Sequence, residues 1–282
     1  MQIPTRTRKK IVKVKMPGFG LTLGLSLTYM SLLILIPLSA LILYATRLSF
    51  QDFWRIVSDP RVIASFKISF SSTFFAAVIN FVFGLIIAWI LTRYQFFGKR
   101  IIDAFIDLPF AIPTAVAGIS LATIFSPMGL LGGFLQQFGI TIGFSKAGIV
   151  IALVFIGLPF VVRTVQPVIE ELDVGLEEAA SSLGANYFQI FVKVIFPSIF
   201  PALLTGFAMA FARGLGEYGS IIFISSNMPY ESEIVPLLII KKLMQFDYLG
   251  ASAIGVTMLG CAFVLLLLTN LLQVYTKRRR TS

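Results

Sequence analysis

The sequence predicts an all-α integral membrane protein that crosses the bilayer six times. Hydrophobic residues make up 57% of the 282 residues and the mean hydropathy is +0.91, while charged residues are only 13%. This charged fraction is about half of what a soluble domain carries. The apolar runs are continuous rather than alternating, which favours membrane-spanning helices over the strands of a β-barrel.

Six apolar runs are long enough to cross a hydrocarbon core of roughly 30 Å. They are Leu21–Ala45, Phe66–Thr92, Ile101–Phe125, Ala147–Gln166, Ser198–Glu217 and Tyr248–Tyr275. The first run follows a basic segment over residues 1–20, as in a secretory signal peptide. We nevertheless predict an uncleaved first helix over residues 21–46, because the run exceeds the roughly 7–15 residues of a signal core and lacks a convincing cleavage site.

The lysines and arginines are distributed unevenly between the two sides that six spans define. An even number of spans places both termini on one side, and that side collects fifteen of these residues against seven on the other. By the positive-inside rule, both termini and the loop Glu170–Lys193 face the cytosol, or the stroma in a plastid. We therefore interpret the net charge of +10 as a topology signal and expect no nucleic-acid partner.

The composition argues against several kinds of chemistry. The chain has no histidine and a single cysteine, Cys261, which lies within an apolar run. Neither a disulfide framework nor a cysteine–histidine metal cluster is therefore expected. No G-x-x-x-x-G-K-[S/T] motif occurs, so the chain lacks the loop that cradles ATP phosphates. We predict neither a catalytic site nor a bound cofactor.

The most informative stretch is the polar loop Glu170–Lys193 between the fourth and fifth spans, which holds five of the thirteen acidic residues. Apolar positions at i, i+3/i+4 and i+7 predict a helix over Leu176–Leu183, and Gly184 suits the position after a helix, where φ > 0 is common. A second short helix over Ala185–Lys193 would complete an elbow. Helices that lie on a bilayer surface usually carry basic residues, so this acidic one is predicted to contact protein instead.

One spacing within this loop matches a known pattern. Its residues are Glu178, Ala179, Ala180, Gly184 and Pro197. They resemble the E-A-A-x-x-x-G-x(9)-I-x-L-P loop of ABC importer permeases, with Val and Phe at the Ile and Leu positions. The resemblance covers residues 62–272 and implies the type I ABC importer permease fold, in which five helices follow an added first helix and precede a basic tail over 273–282. It also implies that these five residues couple the chain to a separate ATPase subunit, which hydrolyses the ATP.

Two further stretches resemble oxyanion permeases in particular. Leu108–Gly118 is similar to the L-P-x-x-x-P-x-x-V-A-G segment of sulfate and molybdate permeases, and Phe211–Ser220 to their A-R-x-x-G-E-[FY]-G-[SA] pattern. Pro109 and Pro113 each remove a helical N–H, so we expect a broken helix at the inner end of the third span. Such a break either lines a translocation path or serves packing alone.

Arg213 and Glu217 form an i, i+4 pair of opposite charge near the outer end of the fifth span, with Gly216 between them. A charge within a membrane is a functional hypothesis by default. Three roles stay open for this pair: holding an outer gate shut, contact of Arg213 with a passing dianion, or helix packing.

A second set of charges lies at the inner end of the third span, where Asp103 and Asp107 are four residues apart. Carboxylates in this position would repel an anion, so we expect them to pair with cations rather than bind substrate. The expected partners are Arg93, Lys99 and Arg100.

Together with the resemblance, these features predict the membrane permease subunit of an ATP-driven importer for sulfate or thiosulfate. The resemblance implies an ATPase dimer, a second and similar permease chain, and a soluble sulfate-binding receptor as partners. A molybdate or tungstate permease is the alternative within this class. An ion-coupled secondary anion carrier is the alternative from another class, although it would need buried carboxylates or histidine near the middle of the bilayer. The 28 phenylalanines and the lack of histidine favour an A/T-rich genome, and hence a plastid membrane over a bacterial inner membrane.

Overall fold

The computed structural model describes residues 18–278. Most of the predicted basic N-terminal segment, up to residue 17, therefore lies outside the described residues, as do residues 279–282 of the predicted basic tail. Over the described residues the chain consists of helices and connecting turns, which confirms the all-α prediction. The helices are α1 Phe19–Ala45, α2 Phe50–Val57, α3 Pro60–Arg93, α4 Lys99–Ile106, α5 Leu108–Ala111, α6 Thr114–Phe125, α7 Leu130–Gln136, α8 Lys146–Glu170, α9 Val174–Ser182, α10 Tyr187–Leu215, α11 Ile221–Ile224, α12 Val235–Met244 and α13 Tyr248–Arg278.

Five of these helices are each long and apolar enough to cross a membrane, namely α1, α3, α8, α10 and the first 22 residues of α13. A sixth span is available if α6 and α7, which meet at an angle of 41°, cross together. The protein is therefore a multi-pass membrane protein, and its helices are compatible with the six predicted spans.

The third span differs from its prediction. The structure divides the predicted helix Ile101–Phe125 into α4, α5 and α6. Ile112 is extended with φ −87° and ψ 131°, because the residue before a proline is disfavoured in the helical region. Pro113 then caps the start of α6, whereas Pro109 lies in the first turn of α5, where its missing N–H has no helical partner to lose. The predicted break is thus observed, with Pro113 next to it.

The fifth span also begins earlier than predicted. The segment predicted as a second short helix over Ala185–Lys193 is helical from Tyr187 onward, but it is not a separate helix, because these residues are the first turns of the continuous helix α10. Pro197 lies inside this helix, two residues after the end of a π-helical turn over Phe191–Ile195. A π-turn is one of the usual ways in which a helix accommodates an interruption of its hydrogen-bond ladder. The span ends at Leu215, two residues before Glu217.

The core of the bundle forms where α3, α8 and α10 pack against each other, and these three helices make the most extensive contacts of the fold. Helices α3 and α8 run parallel, and α10 runs antiparallel to both. Their buried side chains are mainly Ala, Val, Leu and Ile, with Val161, Val162 and Val165 of α8 fully buried. Helix α1 packs beside α13, and its other faces are exposed. We call the end of the bundle that carries α9 the elbow end and the other the opposite end.

Candidate functional site

The acidic loop folds into the elbow from local sequence signals. Asp173 begins α9, because its Oδ1 accepts a hydrogen bond of 2.9 Å from the Gly175 N–H. Gly184 follows the helix with φ +87°, a conformation that a residue with a Cβ rarely adopts. Asn186 then begins α10 through a reciprocal capping box with Gln189. The predicted helix Leu176–Leu183 is therefore observed with bounds shifted by one or two residues, and the glycine has the predicted positive φ.

The predicted elbow residues differ in exposure. Glu178, Ala179 and Gly184 are exposed, and Ala180 packs partly against the core at the elbow end. Pro197 is exposed on α10, within the helix rather than in the loop. The face that the loop turns outward is also apolar. Its exposed members are Leu176, Leu183, Tyr187 and Phe188, of which Leu183 and Tyr187 are 89% and 94% exposed.

An ion pair joins this elbow to the end of α3, and the sequence analysis missed it. The Arg93 Nη2 donates to Glu177 Oε1 across 84 positions of sequence, and both side chains are largely buried. The same guanidinium lies over the Trp89 ring at 5.2 Å from its centroid. Neither Arg93 nor Glu177 follows a local spacing rule that would have paired them.

The predicted partners of Asp103 and Asp107 are wrong. Both carboxylates bind Arg163 of α8, at 2.7 Å from Nη1 to Asp103 Oδ1 and 2.7 Å from Nη2 to Asp107 Oδ2. The Arg163 Nε also donates to Asp107 at 2.8 Å, which makes the contact with this carboxylate bidentate. The planar guanidinium favours such two-pronged contacts. Arg93, one of the predicted partners, is bound to Glu177 instead.

The Arg213–Glu217 ion pair is present at the opposite end, with 2.8 Å between Arg213 Nη1 and Glu217 Oε2. The Glu217 side chain is only 2% exposed, whereas that of Arg213 is 38% exposed. The other carboxylate oxygen accepts from the Ser220 N–H at 2.9 Å and from its hydroxyl at 3.1 Å. Glu217 is therefore a buried anion that three donors hold in place.

The two stretches that resemble oxyanion permeases contact each other at this end. A Cβ on Gly118 of α6 would lie 2.4 Å from the Ser220 carbonyl oxygen, and a Cβ on Gly219 would lie 2.3 Å from the Thr114 hydroxyl. Only glycine fits at either position without a shift of backbone or side chain. Since Thr114 directly follows Pro113, the proline break brings α6 against the segment that holds Glu217. Gly216 does not share this property, because its φ is −88° and the space around it is open.

A second buried carboxylate at the opposite end went unrecognised in the sequence analysis. Glu233 is fully buried and accepts from Arg61 Nε at 2.7 Å, from Arg61 Nη2 at 2.8 Å and from Lys241 Nζ at 2.6 Å. Burial, the largest influence, raises the pKa of Glu233. The hydrogen bonds and charges of Arg61 and Lys241 outweigh it, so the pKa lies below its usual value. The partner Arg61 is 172 positions away, and no local spacing indicates it.

The fold and these sites describe a multi-pass membrane protein with an exposed helical elbow at one end and a loop held by buried carboxylates at the other. The sequence profile of the family described as "Binding-protein-dependent transport system inner membrane component" matches residues 80–282. The chain belongs to this family, and so is a transport permease subunit.

Individual relatives agree with this assignment. The chain is 47% identical to the Sulfate transport system permease protein CysT of Escherichia coli strain K12, over 94% of this chain and 95% of that protein. It is also 47% identical to the Probable sulfate transport system permease protein cysT of Chlorella vulgaris, over 80% of this chain and 87% of that protein. A solved bacterial alginate ABC transporter, in complex with alginate pentasaccharide-bound periplasmic protein, is similar in fold with a TM-score of 0.75 at 18% identity, over 93% of this chain and 94% of that one.

Proposed function

We propose that this chain is the membrane-spanning permease subunit of an ATP-driven importer for sulfate and thiosulfate. The observation that carries the proposal is the 47% identity over nearly the whole chain to a protein named as a sulfate transport permease. Family membership in binding-protein-dependent transport favours this function over the ion-coupled carrier considered from the sequence. Among the described residues, the buried carboxylates Glu217 and Glu233 are already bound by cations, and a proton-coupled carrier would need a free one.

The partner of the elbow in this proposal is a separate ATPase subunit, acting as a dimer. Glu178, Ala179, Ala180 and Gly184 form the docking surface, together with the outward apolar side chains of α9, and Pro197 continues it along α10. Exposed apolar side chains around small residues support this role, because they permit close approach by another protein. The remaining partners are a second, similar permease chain and a soluble receptor that carries the anion.

The gate of the path in this proposal lies at the opposite end. Arg213 and Glu217 hold the segment after α10 closed, and the break at Pro113 lets α6 press against it, with Pro109 in the short helix α5 that precedes the break. Gly216 lies in open space between the two charged residues and serves as the point at which the segment turns.

The elbow end faces the cytosol, or the stroma of a plastid, in this proposal, with both termini on that side. Support comes from the excess of lysine and arginine there. The plastid membrane is favoured over a bacterial inner membrane by the composition.

Single cysteines in a Cys261→Ser background test the orientation: Gly184→Cys should react only from the ATP-containing side, and Asp59→Cys or Ser145→Cys only from the other. Labelling of Gly184→Cys from the outer side would contradict the six-span orientation.

Reconstitution tests the transport function itself. The chain, its neighbouring permease, the ATPase and the receptor are placed in liposomes, and radioactive sulfate uptake is measured with and without ATP. We expect uptake that requires ATP and receptor and that thiosulfate inhibits. Uptake that follows an ion gradient without ATP would refute the proposal. Uptake of molybdate in preference to sulfate would favour the alternative substrate.

A further inference from the structure

The ion pair between Arg93 and Glu177 lies at a junction of three elements. Arg93 is the last residue of α3, Glu177 lies in the first turn of α9, and the ring of Trp89 under the guanidinium packs edge-to-face on Phe191 of α10, with 5.9 Å between centroids. A displacement of α9 therefore acts on both α3 and the start of α10.

Elsewhere, α9 packs mainly against the first turns of α10. Ala180 adds a partly buried contact with the core at the elbow end. The described residues therefore join α9 to α3 chiefly through Arg93 and Glu177. Without this ion pair, α9 could shift while α3 stays in place.

Helix α3 is the element that such a link would move. It is 34 residues long and packs extensively on both α8 and α10. A partly buried ion pair is suited to hold it, since less water competes for the charges than at an open surface. The aromatic face under Arg93 further restricts where the guanidinium can go.

Two adjacent acidic residues of the elbow face different surroundings. The Glu177 side chain is about one-quarter exposed and bound to Arg93, whereas Glu178 is exposed to solution and free to meet another protein. We infer that Glu177 and Arg93 are positioning residues, which carry movement of the docking elbow into α3, while Glu178 belongs to the docking surface itself. This inference rests on the proposed function and assigns a division of labour within the acidic elbow.

The test uses the complete reconstituted importer and the ratio of sulfate taken up to ATP hydrolysed. The variants are Glu177→Gln, Arg93→Gln, and the charge exchange Arg93→Glu with Glu177→Arg. Each single variant should co-purify with the ATPase in wild-type amounts, but with an uptake per ATP reduced about two- to five-fold, as expected for loss of an ion pair of this exposure. The exchange should recover most of the ratio. Glu178→Gln is the matched comparison and should instead lower the amount of ATPase that co-purifies.

Each outcome distinguishes the inference from the function on which it rests. A wild-type complex without ATP-driven uptake refutes the proposed function. A working wild type with an unchanged ratio in Glu177→Gln refutes the inference alone. Loss of ATPase co-purification in Glu177→Gln also refutes it, because Glu177 would then be a docking residue. Thermal melting of each purified variant identifies any chain that fails to fold, and failure of the charge exchange to restore the ratio in a folded chain excludes a direct pairing role.

Discussion

Removing the charge from Arg213 should harm the protein more than removing it from Glu217. Glu217 is 2% exposed and Arg213 is 38% exposed, so the two partners lose different amounts when the pair is broken. In Arg213→Gln, the carboxylate stays buried with only the two Ser220 donors and no cation at hydrogen-bond distance. Breaking a buried pair in this way costs roughly 3–5 kcal/mol, and we expect about 3 because Arg213 is partly solvated.

Glu217→Gln leaves a different remnant. The Arg213 guanidinium keeps access to water, and the new amide oxygen can still accept from Ser220. We expect a loss of about 1.5–2 kcal/mol, the lower part of the usual range for a hydrogen bond to a charged group. The double variant Arg213→Gln with Glu217→Gln should lose less than the sum of the single changes, because neither charge is left unpaired.

The assay is denaturant or thermal unfolding of the three purified variants in one detergent, followed by ATPase measurements in the reconstituted complex. In the gate proposal, Glu217→Gln raises the ATPase activity that no longer requires loaded receptor, and the double variant partly restores the requirement. If Arg213 instead contacts the anion, the double variant loses sulfate uptake while its ATPase still depends on receptor. A stability of Arg213→Gln equal to or above that of Glu217→Gln would refute the reasoning from burial.

Three further predictions concern single residues. Glu233→Gln should lower the unfolding free energy by about 3 kcal/mol, the upper end of the range for a hydrogen bond to a charged group, because it removes the anion that two partly exposed cations, Arg61 and Lys241, share. The pKa of Glu233 is below its ordinary value, so its contribution to the free energy of unfolding is fully present above about pH 4.3 and is lost as the pH falls through the lowered pKa. The melting temperature of the parent should therefore fall over that range, and the melting temperature of Glu233→Gln should fall less. Gly184→Val should cost on the order of 1–2 kcal/mol through its positive φ and abolish ATP-driven uptake in an inserted chain, whereas Gly260→Ala, in an unstrained helix with open space, should behave as the parent in melting and uptake assays. Gly118→Ala should destabilise by about 1–3 kcal/mol in the same melting assay, because its Cβ would meet the Ser220 carbonyl oxygen; an unchanged melting temperature would contradict that contact.

The spans could be predicted because membrane insertion is read from local composition. A continuous apolar run identifies a crossing helix whatever it packs against, which is why α3 and α8 fall close to their predicted positions and α10 ends close to its predicted end. The start of a helix is not visible in composition where a polar loop runs directly into a span. The fifth span was predicted from Ser198, whereas α10 begins at Tyr187 and includes a π-turn over Phe191–Ile195.

The charged contacts could not be predicted, because they depend on which helices become neighbours. Asp103 and Asp107 have three cations within 14 residues in sequence, but they bind Arg163, which is 56 residues beyond Asp107. The Arg213–Glu217 pair was predictable, since residues at i and i+4 are neighbours on the surface of a helix. The role proposed for the elbow came from resemblance, whereas the gate hypothesis came from the intramembrane charges of Arg213 and Glu217, which left three roles open.

The position of the ion pairs along α3 has a mechanical consequence. Arg61 at its first turn is bound to Glu233, and Arg93 at its last residue is bound to Glu177, so charges hold both ends of a helix that is about 48 Å long between them at 1.5 Å per residue. Between these ends the contacts of α3 with α8 are apolar or weakly polar, and the fully buried Asn80 side chain has no hydrogen-bond partner among the described residues. Apolar contacts between helices exchange at lower cost than charged ones, because no buried charge is left without its partner. A force on α9 that is transmitted to α3 therefore either breaks a partly buried ion pair or moves α3 as a unit, and the second outcome reaches Glu233 at the far end.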